Sequence, residues 1–153
     1  MRYRNTHATQ NLSMQSANFV FSRLLLQLRD CFPVPIDIAY RKLCLELQEA
    51  LIPDHADIRH EQVVTGAIMF LADEGFIRHE GYEIIEAGSL QYQFTKMRLT
   101  KSGLALMNDA VSAKEARTSN PVEVTVADYL RGNSDIKHLD AVGAVLVRLF
   151  AKH

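Results

Sequence analysis

Val63-Val64-Thr65-Gly66-Ala67-Ile68-Met69-Phe70-Leu71-Ala72-Asp73-Glu74-Gly75-Phe76-Ile77 decides the reading of this chain, because one kind of backbone ends inside it and another begins. Val64, Ala67, Ile68 and Leu71 recur at the spacing of one helix face. Gly75 follows the last of these turns and is the residue type that reaches left-handed φ without a Cβ penalty, so it marks the helix end. Phe76 and Ile77 then open a β-type run that extends to Glu80. Upstream, Asp54 to Arg59 is a polar link in which Asp57 is the expected N-cap, giving a helix that ends near Glu74.

Downstream, Gly81 to Ser89 reads as a loop or hairpin tip between glycines, and Leu90 to Leu99 as a second strand. Leu90, Tyr92 and Phe94 alternate, whereas Met97 and Leu99 continue on the other parity, so a bulge near Thr95 is expected. Thr100 caps a helix predicted to run to about Ala113, with Leu104, Met107 and Val111 inward. A polar linker over Lys114 to Ser119 leads to Asn120-Pro121-Val122-Glu123, which reads as a helix start, with that helix stopping at Gly132-Asn133. A last helix spans about Ser134 to Lys152 and is apolar nearly all round from Ala141 to Phe150, apart from Arg148.

Before the deciding stretch lie two more helices. One runs from a Ser16 cap to Phe32 with Ala17, Val20, Phe21, Leu24, Leu25 and Leu28 on its stripe. Phe19 and Leu26 fall off that stripe, so the helix is expected to be covered on more than one side. The other runs from Ile36 to Leu51, burying Ile36, Tyr40, Leu43, Cys44, Leu47 and Leu51.

The stretch from Val63 to Ile77, with its Leu71-x-x-x-Gly75-Phe76-Ile77 exit, resembles the third helix and wing entry of the winged helix-turn-helix superfamily. Leu99-Thr100-Lys101-Ser102-Gly103-Leu104 is similar to that superfamily's closing strand and the start of its next helix. The resemblance covers Arg59 to Met107. It implies a mainly helical α+β fold, a winged-helix core with added N- and C-terminal helices. The predicted organisation is a flexible arm over residues 1–15, a winged-helix domain over 16–113 and a helical extension over 120–153.

Composition bounds the function. At 153 residues, 48% hydrophobic and 23% charged, the chain can bury a core unaided, and its formal net charge is −1. It lacks the overall basic excess that supplies most non-specific affinity for nucleic acid, so only a local patch would serve such a role. No run is long and apolar enough to cross a membrane, and no apolar segment follows the N-terminal arginines as a secretory signal requires. Cys31 and Cys44 sit in apolar helical patterns and read as buried thiols of a cytoplasmic protein. His55 and His60 with Asp54, Asp57 and Glu61 match no metal-ligand framework, and neither a phosphate-cradling glycine loop nor a Gly-x-Ser-x-Gly elbow is present. No catalytic residue, metal or cofactor is therefore expected.

Two functions remain open. In members of the superfamily that bind DNA, the third helix enters the major groove and the wing touches phosphate. The resemblance accordingly implies a DNA-binding transcriptional regulator, with Gln62 and Thr65 reading bases and Arg59, Arg78, Lys96 and Arg98 on phosphate. Double-stranded DNA is then the partner. Yet Met69 and Phe70 stand where such relatives commonly carry Lys or Arg, and the charges from Phe76 to Leu99 balance. The alternative is a non-catalytic adaptor of a multiprotein complex, capturing a protein partner through Met69, Phe70 and Val145 and Leu149 of the last helix. The apolar surplus of that helix is covered either by the first helix or by a second chain, and the fold resemblance makes a homodimer the expected assembly.

Overall fold

Helix α1 (Thr6–Cys31) is the axis of the molecule in the computed structural model, which describes residues 6–50, 60–86, 90–112, 114–115, 124–133 and 135–153. Its 26 residues span about 39 Å at the usual rise per residue. Every later helix packs against it. Phe19, Val20, Leu24, Leu25 and Leu28 are buried and Leu26 is half-buried, so α1 is covered on more than one side, as its off-stripe residues indicate. The helix starts at Thr6, ten positions before the expected cap at Ser16. Ser16 is fully buried, and residues 6–15, expected as part of a flexible arm, are helical. A turn already nucleated by tertiary packing propagates outward at little cost per residue.

Strand β1 (Ile36–Ala39) occupies positions expected as the first turn of the second helix. Pro35 favours extended backbone just before it, and Ile36 and Ile38 turn inward while Asp37 and Ala39 stay exposed, a period of two. Helix α2 (Tyr40–Ala50) then buries Leu43 and Leu47. Helix α3 (His60–Asp73) buries Val64, Ala67, Ile68 and Leu71, the stripe read from sequence.

The sheet is antiparallel. β2 (Ile77–Arg78) and β3 (Gly81–Glu86) both pair with β4 (Leu90–Leu99), whose other side pairs with β1. The stretch Gly81 to Glu86 is thus a strand rather than part of a loop. Ile36 faces Met97 while Ile38 faces Phe94, so β4 carries one extra residue there, and Lys96 sits at φ 48°. This is the bulge anticipated near Thr95, and it brings Phe94, Met97 and Leu99 all to the buried side.

Helix α4 (Lys101–Met107) stops about six residues earlier than predicted. The Asp109 carboxylate accepts the Ala110 N–H at 2.8 Å, and the chain then forms β5 (Ala110–Val111), which pairs with β6 (Val124–Thr125). Helix α5 (Val126–Gly132) is capped by Thr125, whose hydroxyl accepts the Asp128 N–H. The expected start at Asn120-Pro121 lies outside the described residues, and the strand at Val124–Thr125 separates it from α5. A 3-10 turn at Ile136–His138 leads into α6 (Leu139–Lys152).

Two close approaches hold this arrangement. Gly75 has φ 82° and closes a Schellman turn: the Phe76 N–H donates to Leu71 O at 2.9 Å and the Gly75 N–H to Ala72 O at 3.1 Å. The Phe76 carbonyl accepts the Thr100 N–H at 3.0 Å, and the Thr100 hydroxyl donates to Gly75 O while accepting the Gly103 N–H at 3.1 Å. The two sequence motifs therefore lock directly onto each other. At the opposite end, Gly143 of α6 lies against the Asn18 side chain of α1, whose amide donates to Leu139 O at 3.0 Å.

Candidate functional site

The outward side of α3 is the first candidate surface. Burying Val64, Ala67, Ile68 and Leu71 leaves Gln62, Gly66, Met69 and Phe70 exposed, with Asp73 and Glu74 one turn beyond. Met69 is 57% exposed and Phe70 37%. From His60 to Glu74 the formal charges are Glu61, Asp73 and Glu74, with no Lys or Arg. Thr65 is half-buried, and its hydroxyl donates to the Tyr40 hydroxyl at 3.4 Å, which in turn donates to Glu61 O at 2.7 Å. The Thr65 side chain thus faces α2, not outward as a base-reading residue would require. Arg59 lies outside the described residues.

Phe70 does not stand alone. Its ring lies 5.6 Å from that of Phe21 on α1 and 5.3 Å from that of Phe150 on α6, and Phe21 and Phe150 are 5.4 Å apart. The buried Phe76 ring lies 5.2 Å from Phe150. Three helices therefore contribute one aromatic triangle with Phe70 at its open corner. Sequence could not place Phe21 and Phe150 beside Phe70, because these contacts are set by how the helices dock.

Val145 and Leu149, expected as partner surface, are instead core residues at 2% and 0% exposure. α6 buries Val142, Val145, Leu146 and Leu149 within the chain, and α1 is the helix it packs against most. Val147 is the large apolar side chain that α6 leaves exposed.

The strand face is the second candidate. Arg78 and Arg98 are direct partners across β2 and β4, both are exposed, and neither has an ion-pair partner among the described residues. Like charges opposite each other in an antiparallel pair are destabilising, so this juxtaposition suits an anion. Lys96 differs: its ammonium lies 3.4 Å from Glu80, and its backbone N–H donates to Asp37 at 3.0 Å. Of the expected phosphate contacts, the fold thus brings together Arg78 and Arg98 and engages Lys96 elsewhere.

A groove of about 360 Å³ between α1, α2 and α5 is lined by Arg23, Asp30, Cys31, Lys42, Glu46 and Arg131. Most of its charges already neutralise one another, with Arg131 at 2.6 Å from Asp30 and Arg23 at 3.5 Å from Glu46. Burial raises the pKa of the Cys44 thiol and of the Tyr40 phenol, the reverse of what an activated nucleophile needs. Among the described residues no three His, Cys, Asp or Glu side chains are grouped to hold a metal, and no helix is long and apolar enough to cross a membrane.

No protein-family model, curated protein or solved structure matches the chain.

Proposed function

We propose that the protein is a non-catalytic winged-helix interaction module whose partner docks on the outward face of α3. The winged-helix reading draws support from the order of α1, β1, α2, α3, β2 to β4 and α4, with β4 between β1 on one side and β2 and β3 on the other. One observation carries the function: α3 presents Met69 and Phe70 with acidic neighbours and no cation. Duplex DNA bears a negative charge about every 1.7 Å of axis, so a helix with this charge pattern is repelled from the groove. An apolar surface that monomers seldom leave uncovered suits a protein instead. The two free thiols fit the reducing cytoplasm expected from sequence.

The test places a photo-crosslinking amino acid at position 69 in the source cells, with mass spectrometry of the adducts. One recurrent protein adduct is expected, absent when the probe stands at exposed Val34 instead. The same adducts from both positions, or none from position 69, would remove the reading.

A second reading, the DNA-binding transcriptional regulator, is favoured by the opposed Arg78 and Arg98. Gln62, exposed on α3, is then its base contact. Fluorescence anisotropy with a generic duplex at low and physiological salt separates the two. Salt-sensitive micromolar binding lost in Arg98→Ala supports the regulator, and no binding at low salt excludes it. A homodimer through the terminal helices would use Val147 and Met14, which are exposed, and light scattering on the same sample reports its mass.

A further inference from the structure

We infer that the surface around Phe70 takes a basic amphipathic segment of another protein, apolar on one side and carrying Lys or Arg beside it. This inference rests on the interaction reading and names the chemistry of its occupant. The apolar part is the Phe21–Phe70–Phe150 triangle, flanked by Met69 on α3 and continued on α6 by Val147, three positions before Phe150 and 59% exposed. Rings held 5.3 to 5.6 Å apart on three separate helices make a rigid floor, which suits insertion of a large apolar side chain.

Charge complementarity sets the rest. Of the described arginine and lysine side chains on α1, α3 and α6, Arg23 pairs with Glu46, Arg148 with Glu115 and Lys152 with Asp109, while Arg29, two turns along α1 from Phe21, meets the neutral amide of Asn108. The acids beside the triangle, Asp73 and Glu74, follow Met69 and Phe70 by one turn and have no ion-pair partner among the described residues. Asp140, near the other end of α6, meets the neutral amide of Gln15 at 3.3 Å and has no ion-pair partner among the described residues. The formal charge that α3 sets beside this apolar surface is negative, from Asp73 and Glu74, and it draws a cationic segment and repels an acidic one.

The test uses the full chain with two fluorescently labelled amphipathic peptides, one of leucine and lysine and one of leucine and glutamate. The leucine–lysine peptide is expected to bind. Its affinity should fall about tenfold or more in Met69→Ser, which removes the exposed apolar contact. A comparable fall is expected in the double variant Asp73→Asn/Glu74→Gln, which removes only charge, while Val34→Ser changes nothing. Equal binding of both peptides, or an unchanged affinity in Met69→Ser, overturns the inference. So does a dimer in light scattering that Met69→Ser converts to monomer, because the occupant is then a second copy. A protein adduct from position 69 without leucine–lysine binding rejects the partner chemistry and leaves the interaction reading standing. Failure of both removes both.

Discussion

Replacing Gly103 with alanine puts the docking of the two motifs under direct strain. A Cβ at this position would overlap the Phe76 carbonyl oxygen and come within 3.1 Å of both the Phe76 carbonyl carbon and Leu99 Cδ2. The obstructing oxygen belongs to backbone, and it already accepts the Thr100 N–H at 3.0 Å, so it cannot swing aside as a side-chain end could. Overpacking of this kind costs about 1–3 kcal/mol. Displacing the carbonyl also weakens the hydrogen bond to Thr100, worth about 1 kcal/mol. Against this, alanine in a helix is favoured over glycine by up to about 1 kcal/mol, and less in the first turn. The net expectation is a loss of about 2–3 kcal/mol, a large part of the 5–15 kcal/mol typical of a domain. Urea unfolding followed by far-UV circular dichroism measures it, since the chain has no tryptophan. Gly66→Ala is the matched control: Gly66 is exposed in α3 and nothing lies within 4 Å of its added Cβ. That variant should gain about 0.5–1 kcal/mol. A Gly103→Ala midpoint at or above wild type would refute the docking argument, because propensity alone would then govern both sites.

At the other end of the molecule, Gly143→Ala should cost about 1–3 kcal/mol by driving its Cβ into the buried Asn18 amide and breaking the bond to Leu139 O. Limited proteolysis should then cut α6 sooner than in wild type, and an unchanged rate would contradict the packing. Hydrogen bonds from His153 and Lys152 hold the Asp109 carboxyl well below the ordinary carboxylate range. A depressed folded pKa gives stability that is fully present above the unfolded value of about 4 and is lost as pH falls through the folded value. Asp109→Asn should therefore unfold at lower urea than wild type at neutral pH, with the gap closing on acidification below about pH 4. A gap that persists there would show that the carboxylate charge is not its source. Arg98→Glu turns a like-charged cross-strand pair into an opposite one and should raise stability by about 0.2–1 kcal/mol, while abolishing any duplex binding that the regulator reading requires. A less stable variant would mean that Arg78 and Arg98 do not face each other as the register places them.

What the sequence determined by itself is local. The buried stripe of α3, the glycine stop at Gly75, the cap at Thr100 and the bulge near Thr95 each rest on residue type and spacing within a few positions. All four recur in the structure. Where the sequence reading went astray, a distant partner decided the outcome. Ile36 to Ala39 became a strand because β4 offered an open edge, and residues 6–15 became helical as an extension of a helix packed from Ser16 onward. The candidate site divides in the same way. Exposure of Met69 and Phe70 was legible, because it is the complement of the α3 stripe. The burial of Val145 and Leu149 was not, since an apolar helix reads alike whether α1 or a second chain covers it. Tertiary structure alone turned Thr65 toward Tyr40, set Arg78 opposite Arg98, and joined Phe21, Phe70 and Phe150. Periodicity reports which face of an element is apolar. Which other element meets that face depends on contacts between residues far apart in the chain, which only the assembled fold supplies.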